Sequence, residues 1–428
     1  MANIWRDAVC MGAYGGAMPH SAPLQTDILI LGGGLVGLTL ALALDAHGVS
    51  SIVVDPADPA AQLAKGFDGR ASAIASASWK MLEVIGVAET LAPHGCPIKR
   101  IEVRDGLQAD CLDFTPEGED AALGVMVENR IVREALHAAA GKAANLTLFS
   151  TTRADEVVRN AAGVTAVLSS GQTVKARLLI AAEGRNSPTR AAAGLNAAKW
   201  DYPHTAIITA INHSTPHHNV AHEIFYPAGP FALLPMLADS EGRNRSALVW
   251  TVDRKDAAGV LALNDTAFSA EVAKRLMGLL GDVRIAAPRS SYPLGFHHAA
   301  TITAERLALI GDAAHGIHPI AGQGLNLGFR DVAALVEVLV DGARLGLDYG
   351  DVQLLARYQR WRSLDTLMVA GATDGLARLY GVRGRAASEV RRFGMRAIQR
   401  IAPLKARFMA EARGESGDLP KLLQGMGV

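Results

Sequence analysis

One stretch constrains the chain more than any other: DILILGGGLVGLTLALALDAHGVSSIVVD, residues 27–55. DILIL (27–31) reads as a parallel strand buried on both faces. Glycines follow, LTLALALDAHG reads as a helix ending near Gly48, and SIVV reads as a second strand closing at Asp55. Strand, glycine turn, helix and strand in so short a span make one βαβ unit. Within it Gly32, Gly34 and Gly37 hold the spacing G-x-G-x-x-G. Such a triplet makes the tight turn, lets the backbone approach a pyrophosphate and lets the helix pack close to the strand. The helix N-terminus turns its amides toward phosphates, and Asp55 stands where an acid accepts from a ribose hydroxyl. The unit predicts a bound dinucleotide, but it does not separate FAD from NAD.

That separation comes from LALIGDAAHGIHPIAGQGLNLGFRD, residues 307–331. A buried strand (306–310, RLALI) ends at Gly311-Asp312, and a loop with His315, His318 and Pro319 follows. Gly322, Gln323, Gly324, Leu325 and Asn326 then open a long helix. Asp312 is placed to bond a sugar-alcohol chain, and the amides from Gly322 to Asn326 can face a ring that gains negative charge. A helix N-terminus stabilises an anion by roughly 0.3–1 kcal/mol. A reduced flavin is such a ring, so FAD is the expected cofactor, with Pro319, Gly322, Gln323 and Gly324 beside it. His315 and His318 are expected to shape the loop rather than move protons, because no partner acid is evident.

At 428 residues the chain exceeds the roughly 250–300 that one core usually spans. Residues 174–182 (VKARLLIAA) read as another buried strand. Residues from about 200 to 295 carry shorter alternating segments broken by Pro and Gly, as in antiparallel strands with one covered face. The expected fold is α/β, with a Rossmann-like cofactor domain in separated pieces (26–95, 128–195 and 296–345). An antiparallel-sheet substrate domain (96–127 and 196–295) is inserted into it, a helical C-terminal region covers 346–428, and residues 1–25 read as a flexible leader. Forty-two basic and 42 acidic residues leave no net attraction for nucleic acid. Cys10, Cys96 and Cys111 have no metal-type spacing and suit a reducing compartment. No run approaches the roughly 18 apolar residues of a membrane span, and the leader lacks the apolar core of a secretory signal, so a cytoplasmic location is expected. His213, His217, His218 and His222 read as solvated surface, and no metal is expected. Serine-elbow, phosphate-loop and H-E-x-x-H patterns are missing.

The wording GDAAH-x-x-HPIAGQGLNLG-x-RD resembles the second FAD motif of the group A flavin monooxygenases, in particular the ubiquinone-biosynthesis hydroxylases, which oxidise polyprenylated phenols. ENRIVREAL (128–136), FYPAGPFALLPM (225–236), ALVWT (247–251), YPL (292–294) and YQRWRSLDTLMVAGATDGLARLY (358–380) are similar to that family in the same order. The resemblance runs from Thr26 to about Tyr380. It implies a fold of the p-hydroxybenzoate-hydroxylase type, FAD as resident cofactor and NAD(P)H as a transient reductant. It also implies molecular oxygen as co-substrate, delivered to an aromatic ring from a flavin hydroperoxide. Arg70, in Asp68-Gly69-Arg70, and Asn129 correspond to positions against the FAD, although Arg70 also reads as a solvated loop charge. Glu183-Gly184-Arg185-Asn186-Ser187, followed by Arg190, matches a segment for FAD and nicotinamide handling that the family begins with Asp. No side chain is assigned as catalytic, because the cofactor carries the chemistry. The implied substrate is a small hydrophobic aromatic, a polyprenylated phenol. A soluble aromatic compound is one alternative, and a non-catalytic FAD-binding role in a quinone-biosynthesis assembly is another. Phe225 to Leu237 reads equally as the sheet surface over the flavin or as ordinary core.

Residues 378–413 carry ten basic side chains against Glu389 and Glu411. Val390, Phe393, Ala397, Ile401, Leu404 and Phe408 recur at helical spacing, and Pro403 divides the helix. Such a tail suits peripheral contact with the inner face of an anionic membrane. It equally suits packing on the body or on a partner, in a quinone-biosynthesis complex or a homo-oligomer.

Overall fold

The structure, a computed structural model, describes residues 22–63, 67, 69–106, 111–116, 118, 121–316, 323–363, 365–366 and 385–428. Ile28–Leu31 lies inside a six-stranded sheet in the order Thr303–Ala304, Leu307–Leu309, Leu178–Ala181, Ile28–Leu31, Ser51–Val54, Leu146–Phe149. Every pair is parallel except the Thr303–Ala304 edge, and Ile30 lies opposite both Val53 and Ile180. Helices α1 (Leu35–Asp45), α2 (Asn129–Ala140) and α3 (Gln323–Arg344) pack together beside it. Ile28 to Leu31 and Leu178 to Ala181 are buried throughout. Cover on both faces is the reason these runs are apolar without alternation.

The run 174–182 is not one strand. Thr173–Ala176 joins a separate four-stranded sheet, and only Leu178–Ala181 enters the parallel one. The sequence changes character at that joint. Val174 and Ala176 are buried while Lys175 and Arg177 are exposed, a period of two, before the continuous apolar run begins. Leu24 and Gln25 pair in parallel with Val174 and Lys175, so sheet pairing starts before Thr26.

A nine-stranded sheet forms the second layer. Its longest strand, Ala197–His213, has 17 residues, longer than the short segments expected between 200 and 295. Along its main path the order is His315–Gly316, Ser290–Ala299, Ala197–His213, Asn244–Asp253, Gly229–Met236, Val220–Tyr226, Arg100–Asp105, Cys111–Phe114. Only Val220–Tyr226 and Arg100–Asp105 run parallel. The helix Asp265–Leu276 covers one face, setting Phe268, Val272 and Leu276 against Ile207, Phe231 and Leu248. The other face looks toward the start of α3 and a three-stranded sheet of Ala71–Ala75, Gly124–Glu128 and Cys96–Ile98.

The tail folds as α4 (Arg385–Arg400) and α5 (Ala402–Ala412), with Pro403 in the first turn of α5. It packs on the body. Met395, Ile398 and Met409 meet Ile98, Leu112 and Phe114, and Arg391 Nε pairs with Asp105 Oδ1 at 3.3 Å, both residues buried. Of the expected apolar stripe, Ala397 and Leu404 are half-buried. Ile401 and Phe408 are 50% and 37% exposed, while the side chains of Val390 and Phe393 lie outside those described. The break at Ile401 resets the helical phase, so positions counted through it do not share a face. No described helix is long and apolar enough to cross a membrane.

Candidate active site

Steric necessity shapes the first crossover. Gly32 has φ +103°, and a Cβ there would lie 2.4 Å from the Ala182 carbonyl oxygen. A Cβ on Gly37 would stand 1.9 Å from the Gly32 carbonyl oxygen, so α1 approaches its strand closely only with glycine here. Gly34 differs. Its Cβ would meet nothing within 4 Å, so this backbone faces open space at the helix start. Asp55 binds the turn from the next strand: Gly33 N donates to Oδ2, and Ala57 N donates to Oδ1 at 2.7 Å. Each carboxylate oxygen has two lone pairs, so acceptor capacity remains for a ribose hydroxyl.

Arg70 and Asn129 are brought together at the adjoining strand. Asn129 N donates to the Arg70 carbonyl oxygen at 3.0 Å, and Ser72 Oγ donates to Asn129 Oδ1 at 2.6 Å. The Arg70 side chain is exposed. Asp68, Pro319 and Gly322 lie outside the described residues.

The second crossover continues the same cleft. Gly311 has φ +56° and packs on Val36, joining both glycine turns. Asp312 is exposed at this crossover, and desolvation by the surrounding protein raises its carboxyl above the usual Asp value despite the nearby His315 and Arg185. Its backbone oxygen accepts from His297 Nε2 at 2.7 Å. Gly324, like Gly34, meets nothing within 4 Å where a Cβ would stand. Leu325 packs on the core, and Asn326 ties α3 to Ala71–Ala75: Ala75 N donates to Oδ1 and Nδ2 donates to the Ala73 carbonyl, each at 2.9 Å. Two open glycine positions, one at each helix start, and an acid with free acceptor atoms between them fit the phosphates and sugar-alcohol chain of FAD.

A cavity of about 240 Å³ adjoins this cleft. Val103, Leu112, Glu223 and Leu234 line it from the large sheet, Ala73 and Ala75 from the small one, and Gln323 and Asn326 from α3. Met395, Ile398 and Phe408 of the tail line another side. The segment 225–237 thus has two roles divided by strand alternation. Phe225 and Leu234 face the cavity, while Phe231 and Leu233 belong to the core under helix Asp265–Leu276.

Residues 25–366 match the FAD binding domain family. The chain is 44% identical to ubiquinone hydroxylase UbiL of Rhodospirillum rubrum, over 96% of this chain and 95% of that protein. It belongs to the ubiquinone-biosynthesis hydroxylase family of FAD-dependent monooxygenases. A further relative, 3-demethoxyubiquinol 3-hydroxylase of Escherichia coli, is 32% identical over 91% of this chain and 98% of its own length. Among solved structures, p-nitrophenol 4-monooxygenase PnpA of Pseudomonas putida superimposes with a TM-score of 0.75, covering 92% of this chain and 100% of that one. At 17% identity that likeness speaks for the shared fold, the α/β architecture expected from the sequence.

Three groups of side chains in this flavoenzyme make contacts that the sequence reading did not name. His315 does have a partner acid: its Nε2 lies 2.7 Å from Asp331 Oδ2, and both residues are buried. Gly311 N donates to the same oxygen at 2.8 Å, and Arg362 Nε donates to Asp331 Oδ1 at 2.7 Å. Burial alone would raise the Asp331 carboxyl, but His315 and Arg362 hold it below the usual range. The signal was an acid inside an otherwise apolar helical run, which calls for a buried partner. Glu183 serves the local backbone, its Oε2 accepting from Ser187 Oγ at 2.6 Å and Thr189 N at 3.2 Å. Arg190 then reaches the Ala313 carbonyl at 2.8 Å, locking this segment to the second crossover. The histidine group is solvated surface only in part: His218 is exposed and His217 half-buried. His213 and His222 are 5% and 6% exposed, and His213 bonds Ser246 Oγ at 2.9 Å and the Thr215 carbonyl at 2.8 Å.

Proposed function

We propose that this enzyme hydroxylates the aromatic ring of a polyprenylated phenol in ubiquinone biosynthesis, using FAD, NAD(P)H and molecular oxygen. One observation carries the substrate class: an apolar cavity, enclosed by sheet, helix start and tail, adjoins the cofactor cleft of a chain 44% identical to a ubiquinone hydroxylase. FAD, when bound, supplies oxygen activated from dioxygen after reduction by the nicotinamide. The residues supply the rest. Gly32, Gly34 and Gly37 would admit the pyrophosphate, Asp55 would take the ribose and Asp312 the sugar-alcohol chain, with Arg70 and Asn129 along the cofactor. The helix start at Gln323, Gly324, Leu325 and Asn326, with Pro319 and Gly322 before it, would face the ring. The apolar walls would orient the phenol and keep water from the reacting atoms. The division into a cofactor domain and an inserted substrate domain is part of this reading.

The same reading extends to location. Phe408 of the tail lines the cavity and is itself 37% exposed, and on the same tail Arg400, Ile401 and Arg407 are exposed. This suits peripheral contact with an anionic membrane, where a lipid-borne substrate would enter.

The test is turnover of 2-alkylated phenols of increasing chain length with product mass spectrometry. Product one oxygen heavier, with kcat/KM rising with chain length, is expected. A preference for the unalkylated phenol would move the substrate to a soluble aromatic.

A further inference from the structure

Glu223 is a carboxylic acid on the wall of an otherwise mostly apolar cavity. Strand alternation sets it there. Ala221, Glu223 and Phe225 line the cavity, whereas Ile224 points into the core beneath helix Asp265–Leu276. Val103 and Ala232 are its neighbours in register on the two flanking strands. Among the described residues its carboxyl has no hydrogen-bond or ion-pair partner. Glu223 is half-buried; an acid held against an apolar cavity without a partner is costly, and an apolar residue would serve such a wall better. The cavity it faces is also lined by Gln323 and Asn326, at the helix start beside the cofactor cleft.

We propose that Glu223 is a catalytic residue that accepts the proton of the substrate's ring hydroxyl. The inference rests on the phenol reading above. In the step, the phenolic O–H bond breaks, its electron pair stays on the ring oxygen, and the proton joins a Glu223 carboxylate oxygen. The electron pair left on oxygen makes the ring a better nucleophile toward an electrophilic oxygen. A positioned base of this kind contributes about 10²–10⁴ in rate.

Most other ionisable groups on the strands and on α3 around the cavity are already paired. On Arg100–Asp105, Glu102 pairs with Arg100 and Arg104 on the face away from the cavity, and Asp105 pairs with Arg391 of α4. Asp113 pairs with Arg100, and Glu128 pairs with Arg245. His222, which also borders the cavity, faces Glu102, and burial with the nearby arginines lowers it to about 4, leaving it neutral. Strands Gly229–Met236 and Ala71–Ala75 bring no ionisable side chain. Arg330 and Asp331 of α3 belong to the buried network with Arg362 and Asp365. On the tail, Arg396 and Arg400 of α4 are exposed, and Glu411 of α5 is the second carboxylate on the cavity. Burial raises the Glu223 carboxyl to about 7, near the value a general base uses at neutral pH.

The experiment measures binding of 2-alkylphenols and their O-methyl ethers to the FAD-loaded enzyme between pH 5 and 9, comparing wild type, Glu223→Gln and Glu223→Asp. Wild type should favour the phenol over its ether by about tenfold or more above pH 7, the range for a hydrogen bond to a charged group. That preference should fade toward pH 5, vanish in E223Q and survive in part in E223D. E223Q should also melt higher than wild type above pH 7, with the gain disappearing below about pH 4.5, where both folded and unfolded wild type carry the proton. Equal discrimination by wild type and E223Q at every pH would overturn the assignment. Chain-length dependence is read separately from the same titrations. If affinity ignores chain length while the phenol preference tracks Glu223, the prenyl reading fails and the base stands.

Discussion

The two walls of the proposed active site are built on opposite principles. The cofactor wall is made of backbone: glycines at distances no side chain permits, and carboxylates that bond nearby amides. The substrate wall is made of side chains drawn from positions as distant as Ala73 and Phe408, in contact only after folding. Between the walls stands Asn326, whose side chain bonds the Ala71–Ala75 strand while α3 points its start at the cleft. The difference teaches where tolerance lies. A backbone wall fails at single atoms, whereas an apolar wall absorbs volume-conserving exchange at less than about 1.5 kcal/mol.

The sharpest way to break this contrast lies within one motif. Gly37→Ala places a methyl at 1.9 Å from the Gly32 carbonyl oxygen, so strand and helix must separate. Loss of folded protein is expected, a cost beyond about 4 kcal/mol. Gly34→Val, three residues earlier, meets nothing within 4 Å. The FAD-free protein should therefore keep its melting behaviour to within about 1 kcal/mol, the range of a helix-cap change. Its flavin content per polypeptide should nevertheless fall close to zero. A yellow, fully loaded G34V enzyme would show that the pyrophosphate does not approach there.

Asp331→Asn tests the cofactor wall from behind. The carboxylate accepts from His315, Gly311 and Arg362 within a fully buried network, so its loss should cost about 3–5 kcal/mol in urea unfolding at pH 7. The sign with pH follows from its direction. A carboxyl held below the usual Asp value contributes fully above pH 4 and loses that contribution as pH falls through its folded value. The gap between wild type and D331N should therefore close in acid. A gap that is absent at pH 7 would make this cluster a bystander.

Legibility in the sequence follows the same division. The turn at 32–37 could be read because its constraint is local: three glycines in six residues, with a strand before and a helix after. The second crossover, with Asp312 just after its strand, could be read for the same reason. Glu223 could not. HEIFY alternates correctly for a strand, but nothing local says which of its two faces meets the cofactor. That depends on pairing with residues 100–105, more than a hundred positions earlier. His315 and Asp331 are sixteen positions apart in one motif, and their pairing needs the helix to fold back behind its own loop. The tail stripe was legible only in pieces for a related reason: the break at Ile401, beside the expected division at Pro403, shifts the helical phase between its two halves.

The smallest expected effect concerns that tail, whose outer side faces solvent. Met395 and Ile398 face the cavity, so deleting the tail would open the active site and confuse two functions. Surface substitutions separate them. Arg400→Gln with Arg407→Gln leaves the buried Arg391–Asp105 pair untouched. A basic residue near an anionic surface contributes about 1 kcal/mol, so the double change should lower co-flotation with anionic vesicles roughly ten- to thirtyfold. Turnover of a short-chain phenol in detergent should not change. The effect should also shrink as salt rises, because exposed charges are screened beyond about 10 Å at 0.1 M. Equal flotation by both proteins at low salt would remove the membrane from the reading, leaving the basic side of the tail to a partner protein and its inner side to the cavity.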